Sequence, residues 1–208
     1  MKLYYIWDAY CGWCYGFGAH LKPLLQAHPD LDLEIVSGGL FIGERSQPIA
    51  AYPHIPGANS RIAAHYGVTF GQAYQSTLAE GKLVLNSLHP ALALTYLKDR
   101  LPNHQHYAIV TAIQTAFYQD GLSLSDISTY GKIAEQFGLE RQQVETDLAH
   151  VFQQDSSPEF LQARQLGAQS YPTLLLEKNG TFYDVRGQAT TLAELEKNLS
   201  KFVQEDLL

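Results

Sequence analysis

Cys11-Gly12-Trp13-Cys14 contains both cysteines of this chain, and its flanks restrict the fold more than any other stretch. An apolar run, Leu3-Tyr4-Tyr5-Ile6-Trp7, comes before it. Tyr15 to Ala27 follows, with Phe17, Leu21, Leu24 and Leu25 at helical spacing and Pro23 as a kink or restart. The pair therefore falls where a strand gives way to a helix. The first turn of a helix offers backbone N–H groups without partners and the positive end of the helix dipole, so it favours a thiolate over a thiol. Two intervening residues put the second sulfur one turn further on, within reach of the first. On this reading Cys11 is the nucleophile and Cys14 the resolving thiol.

Two other uses of the pair stand beside redox chemistry. A structural zinc site needs four ligands, and two would have to come from the eight histidines. The one close pair, His104-x-His106, lies far along the chain in a polar stretch after Pro102 that reads as a solvated loop. Two buried, inert thiols are the third possibility. The strand-then-helix setting favours the redox reading.

Composition narrows the partners. With 208 residues, 46% of them apolar, the chain has core enough for one domain or two small ones. A formal charge of −7 without a Lys/Arg cluster argues against nucleic acid or an anionic membrane. Neither a signal-peptide apolar region nor a run of about 18 apolar residues occurs. A soluble cytoplasmic protein is expected, in which a disulfide is catalytic or transient. No phosphate-binding glycine loop, zinc-protease motif, hydrolase nucleophile motif, repeat or low-complexity tract is found.

Leu31 to Val36 alternates apolar and polar residues and reads as a second strand, closed by a turn at Ser37-Gly38-Gly39. From Phe41 to Gly167 only helical stripes follow. They begin after Asn59, near Ser87 with Pro90 in the first turn, around Ile109, around Ile127 with Gly138 as terminator, around Val144, and at Ser157-Pro158-Glu159. Period two returns at Thr173 to Glu177 and Thr181 to Arg186, joined by Lys178-Asn179-Gly180, a hairpin signal. Leu192, Leu195, Leu199 and Phe202 then mark a closing amphipathic helix. The expected organisation is an α/β chain whose two β-containing ends, residues 1–40 and 168–208, form one mixed sheet around an all-helical insertion, 41–167.

Three segments carry a family resemblance: Trp7-Asp8-Ala9-Tyr10-Cys11-Gly12-Trp13-Cys14-Tyr15, Ala116 to Asp126, and Ala168-Gln169-Ser170-Tyr171-Pro172-Thr173. Together with the element order, the chain resembles the DsbA-like thioredoxin family, and within it the cytoplasmic FrnE-type branch of dithiol oxidoreductases. The resemblance implies thiol–disulfide exchange at Cys11 and Cys14, with Pro172 as the cis-proline against the active-site pair and the Tyr171 backbone pairing with an extended substrate. Thr173 follows as in the family pattern. It implies no tightly bound cofactor, glutathione as a redox partner, and protein or small-molecule thiols and disulfides as substrates. It leaves oligomeric state and direction of electron flow open.

Departures bear on that reading. Tyr171 is bulkier than the small aliphatic residues common before this proline, and is suited to narrowing the groove or to hydrogen-bonding a peptide or glutathione. Gly12-Trp13 matches neither the Pro-His of the periplasmic oxidant type nor the Gly-Pro of thioredoxin. Tyr10 and Trp13, flanking the thiol, are expected to face substrate. Asp8 reads as a turn-forming residue, with proton acceptance from Cys14 as its other role. Glutathione-dependent enzymes resembling kappa-class glutathione transferases and 2-hydroxychromene-2-carboxylate isomerase share the outline but use a single Ser or Cys at the position of Cys11, and Cys14 argues against them. A non-catalytic zinc- or peptide-binding module is the remaining class.

Overall fold

The computed structural model describes residues 1–203. In chain order its elements are β1 (Lys2–Trp7), α1 (Gly12–Ala27), β2 (Asp32–Ser37), α2 (Ile55–Tyr66), α3 (Gln72–Glu80), α4 (Leu88–Lys98), α5 (Asn103–Tyr118), α6 (Ile127–Gln136), α7 (Arg141–Val151), α8 (Pro158–Gln165), β3 (Thr173–Lys178), β4 (Thr181–Asp184) and α9 (Leu192–Val203). Two short 3₁₀ turns, Gly43–Arg45 and Ile49–Ala51, precede α2.

The strands form one mixed sheet in the order β2-β1-β3-β4. β1 runs parallel to β2 and antiparallel to β3, and β4 is antiparallel to β3. Alternation along β1 sets the two layers. Leu3, Tyr5 and Trp7 enter the main core with Phe17, Leu21 and Leu24 of α1, whereas Ile6 joins Val36, Leu175 and Ala163 of α8 on the other face. Asn179 and Gly180 both have positive φ, 54° and 78°, as the tight hairpin between β3 and β4 requires.

Helices α2 to α8 lie between the halves of the sheet in sequence, and buried ionic contacts tie two of them to it. Lys98 at the end of α4 lies 2.8 Å from Glu159 of α8, and Glu159 accepts from the Ser37 amide at 2.8 Å. Both side chains are nearly buried. This fixes the C-terminal end of β2, where the glycine pair begins.

Three expectations need correction. His104 and His106 lie in the first turn of α5 and not in a solvated loop. There the His106 ring packs back onto the carbonyls of Leu101 and Lys98, at 2.9 and 3.1 Å. α2 begins at Ile55, with Pro56 in its first turn, and not after Asn59. α3 was not anticipated: it buries only Tyr74 and carries no apolar stripe.

Candidate active site

Three strand ends converge around the cysteines. Cys11 follows β1 and is the N-cap of α1, with φ −81° and ψ 106°. Its carbonyl accepts from the Cys14 and Tyr15 amides at 2.9 and 3.1 Å, which starts the helix. Asp8 builds the turn leading to it. One carboxylate oxygen accepts from the Tyr10 amide at 3.0 Å, the other from the Leu40 amide at 2.9 Å, and its carbonyl accepts from the Cys11 amide at 3.1 Å. Asp8 thus acts as the turn former and also pins the chain after β2 beside the thiols. Burial raises its pKa to about 6, against the lowering effect of those amides.

The two sulfurs differ in access. Cys11 is 7% exposed and Cys14 fully buried, and both are free thiols. Burial first, then the adjoining Cys11, pushes the Cys14 thiol well above its ordinary pKa. The Cys11 thiol donates to the Tyr171 carbonyl at 3.4 Å, across 160 residues of sequence. The Tyr171–Pro172 peptide is cis. Thr173 turns its hydroxyl back onto the Ser170 carbonyl at 2.7 Å, so it shapes this loop from behind.

The Tyr171 ring lies against Gly38, where a Cβ would overlap it, and the Gly39 amide donates to its hydroxyl at 3.3 Å. The turn residues Gly38-Gly39 therefore make room for Tyr171, a role the sequence reading did not assign. On the other side, α2 closes over α1. A Cβ at Gly12 would come within 2.9 Å of Ile62, and one at Gly16 would overlap Tyr66. Glycine at position 16 is thus a packing requirement of the helical roof, whereas at Gly12 only the end of the Ile62 side chain would have to give. Trp13, half-buried, has its ring centre 6.3 Å from that of Tyr66 and 6.4 Å from that of His65.

Tyr10 does not face the groove. It is 5% exposed, and its ring meets Phe117 and Phe41 edge-on at 4.8 and 6.3 Å. The apolar interior formed by the helical insertion captures its ring. The structure gathers Cys11, Cys14, Trp13, Tyr171, Pro172 and Thr173 and sends Tyr10 into the core. Tyr66 and Gly38 join the group; Gly38 belongs to the turn read in the sequence, and only tertiary contact marks Tyr66.

Among the described residues no group of three or more His, Cys, Asp or Glu side chains gathers as a metal site, and no helix is long and apolar enough to cross a membrane. A cavity of about 690 Å³, lined by Leu25, Leu31, Leu33, His104 and Tyr107 among others, opens at the start of β2, away from the sulfurs.

Comparison with solved structures shows the same fold elsewhere. The cytosolic disulfide reductase DsbM from Pseudomonas aeruginosa is 22% identical with a TM-score of 0.78, covering 98% of this chain and 99% of its own. Its structure with GSH gives 24%, 0.75, 98% and 100%. A proposed protein disulfide isomerase from Nitrosomonas europaea gives 19%, 0.79, 98% and 98%. A 2-hydroxychromene-2-carboxylate isomerase is also similar in fold, at 15% and 0.67, covering 100% of this chain and 98% of its own. No curated protein matches the chain. The family model for the DSBA-like thioredoxin domain matches residues 4–197. With that match spanning both cysteines, the cis-proline loop and the helices between them, the chain belongs to the DSBA-like thioredoxin domain family.

Proposed function

We propose that this protein is a thiol–disulfide oxidoreductase of the reductase or isomerase type that works in the cytoplasm, acts on protein or small-molecule disulfides and exchanges electrons with glutathione. The inequality of the two sulfurs carries the reading: Cys11 keeps a small exposed edge at a helix N-terminus, and Cys14 waits protonated beneath it with none. Membership of the DSBA-like family supports the exchange chemistry, and a GSH-bound structure of DsbM supports the partner.

In the reducing direction, Cys11 thiolate attacks one sulfur of a substrate disulfide. That S–S bond breaks, a Cys11–substrate disulfide forms, and the first substrate sulfur leaves as a thiolate that takes a proton. Cys14 then loses its proton and attacks Cys11. The second substrate thiol leaves, and Cys11 and Cys14 are left joined. Two glutathione molecules restore the dithiol and leave as their own disulfide, so two electrons pass from glutathione to substrate.

The Tyr171 carbonyl already lies on the Cys11 sulfur, which supports this edge as the place where the mixed disulfide rests, with Pro172 beneath it and Trp13 and Tyr171 as flanking walls. Thr173 takes a positioning role through Ser170.

Trapping tests the reading. Cys14→Ser exposed to glutathione disulfide should retain one glutathione per chain on Cys11, released by dithiothreitol, whereas wild type should not retain it. Absence of the adduct on Cys11 contradicts the proposal.

A further inference from the structure

Cys14 must ionise where water does not reach, and one buried hydroxyl of β1 lies directly against it. Tyr5 is 1% exposed and Cys14 fully buried, in the same core between β1 and α1. The Tyr5 hydroxyl donates to the Cys14 carbonyl at 3.4 Å, longer than the roughly 3.0 Å at which an O–H···O bond is usual. Its proton is therefore loosely committed. The ring is fixed by Phe17, Tyr107 and Trp7, whose ring centres lie 6.2, 6.4 and 6.5 Å away, while the O–H itself can rotate. Burial first, then the charge of Cys14, pushes the phenol far above its ordinary pKa, so it remains a donor.

Other titratable groups face Cys14: Cys11 and Asp8 beside it, Tyr107 and Tyr118 from α5, Tyr66 from α2 and Tyr171 from the cis-proline loop. Their polar atoms lie elsewhere. The Asp8 carboxylate accepts from two amides, and the Tyr171 hydroxyl accepts from the Gly39 amide. A Cβ on Gly18, one turn past Cys14, would come within 3.3 Å of the Tyr107 hydroxyl, and one on Gly12 within 3.9 Å of the Tyr118 hydroxyl. The Tyr66 hydroxyl bonds to Arg186. Among the described residues, Tyr5 is the one tyrosine whose hydroxyl bonds to the Cys14 backbone.

We propose that Tyr5 is the hydrogen-bond donor to the Cys14 thiolate in the resolving step, its O–H turning from the Cys14 carbonyl to the sulfur. This rests on the oxidoreductase reading above and adds a residue to the second half of its exchange. There the Cys14 S–H bond breaks and the sulfur's electron pair forms the Cys14–Cys11 bond. The Cys11–substrate S–S bond breaks, and its pair leaves on the substrate sulfur, which takes up the proton that Cys14 gave. Tyr5 keeps its own proton throughout. A hydrogen bond to an anion is stronger than one to a carbonyl, so the contact strengthens as charge forms on sulfur, which lowers the barrier and not merely the ground state.

The test mixes reduced protein with excess dithiobis-nitrobenzoate, an aromatic disulfide that releases one coloured thiolate when Cys11 attacks it and a second when Cys14 attacks the Cys11 adduct. The first phase depends on reagent concentration and the second does not. Tyr5→Phe keeps the ring, should leave the first rate unchanged, and should slow the second about threefold at neutral pH. A roughly tenfold lower thiolate fraction is there partly offset by the greater nucleophilicity of a more basic sulfur. The pH midpoint of the second phase should rise by about one unit, and Tyr107→Phe should change neither phase. A second phase as fast in Tyr5→Phe as in wild type overturns the inference. So does equal slowing of both phases, or the same slowing in Tyr107→Phe. In each case the second release by wild type leaves the oxidoreductase reading standing. If wild type releases only one equivalent, that reading fails and the inference with it. A further arm uses wild type with Cys11 carbamidomethylated. The ζ-carbon resonance of Tyr5 should move as Cys14 titrates, and should not do so in Cys14→Ser treated alike. A Tyr5 resonance that ignores the titration overturns the inference whether or not Tyr5→Phe folds.

Discussion

Asp8 and Gly38 show how single residues hold the site. Asp8 spends both carboxylate oxygens on the amides of Tyr10 and Leu40, and burial raises its pKa from 3.8 to about 6. A raised folded-state value means that the folded protein holds the proton more tightly than the unfolded chain. The associated stability is present at low pH and is lost as pH climbs through about 6. Asp8→Asn has no such titration. Urea midpoints converted to free energies should therefore show wild type losing about 2 kcal/mol relative to Asp8→Asn between pH 4 and pH 7. A pH-independent difference contradicts this account of Asp8. Gly38 is judged by what a methyl group there would strike. Gly38→Ala should push the Tyr171 ring aside and cost about 1–3 kcal/mol, and the penalty should largely vanish in a Tyr171→Ala background. An equal penalty in both backgrounds, read by denaturant unfolding, contradicts the contact. Of these roles the sequence shows that Asp8 forms a turn, because an Asx turn is a local pattern. It does not show why Gly38 must be glycine, since Tyr171 comes from 133 positions further on. Tyr10 is misread for the same reason: adjacency to the thiol says nothing about Phe117 and Phe41, which take its ring inward.

At the scale of elements, the strand–thiol–helix junction, the Asn-Gly hairpin and the mixed sheet are legible because each is written in a short periodic segment or a turn with its own chemistry. α3 is not, because a helix that buries Tyr74 alone leaves no stripe to read. The first turn of α5 is not either, because its histidines look polar until His106 folds onto the preceding carbonyls. Coupling between elements is equally hidden. Lys98 and Glu159 are 61 residues apart, yet they join α4, α8 and the end of β2. Glu159→Gln keeps the shape but leaves Lys98 with Glu34, 3.7 Å away, as its remaining carboxylate, and should destabilise the fold by about 1–2 kcal/mol. The opening of amides around Ser37 to hydrogen exchange should rise in parallel. Unchanged protection at Ser37 contradicts the proposed anchoring of β2. α2 makes a complementary point at the other wall. Gly16→Ala should displace Tyr66 and Ile62 from α1 and loosen the roof over Cys11, raising the rate at which a neutral alkylating agent reaches Cys14 in the reduced protein. An unaltered alkylation rate contradicts the closure of α2 on α1.

The whole molecule works by placing its parts at one end of one sheet. β1 brings the thiol pair, β2 the glycines and β3 the Tyr171–Pro172 loop, while the helices between β2 and β3 roof the site through α2. Strands distant in sequence meet at this end, so the site is contiguous in space though it is drawn from residues 8 to 173. The central claim is that Cys11 and Cys14 act as one redox couple, and equilibrium titration over a glutathione redox series, read by alkylation and mass spectrometry, tests it most directly. The account predicts a single reversible two-electron transition between dithiol and Cys11–Cys14 disulfide, lost in both Cys11→Ser and Cys14→Ser. Two independently modified thiols, or thiols that never pair at any ratio, would contradict it.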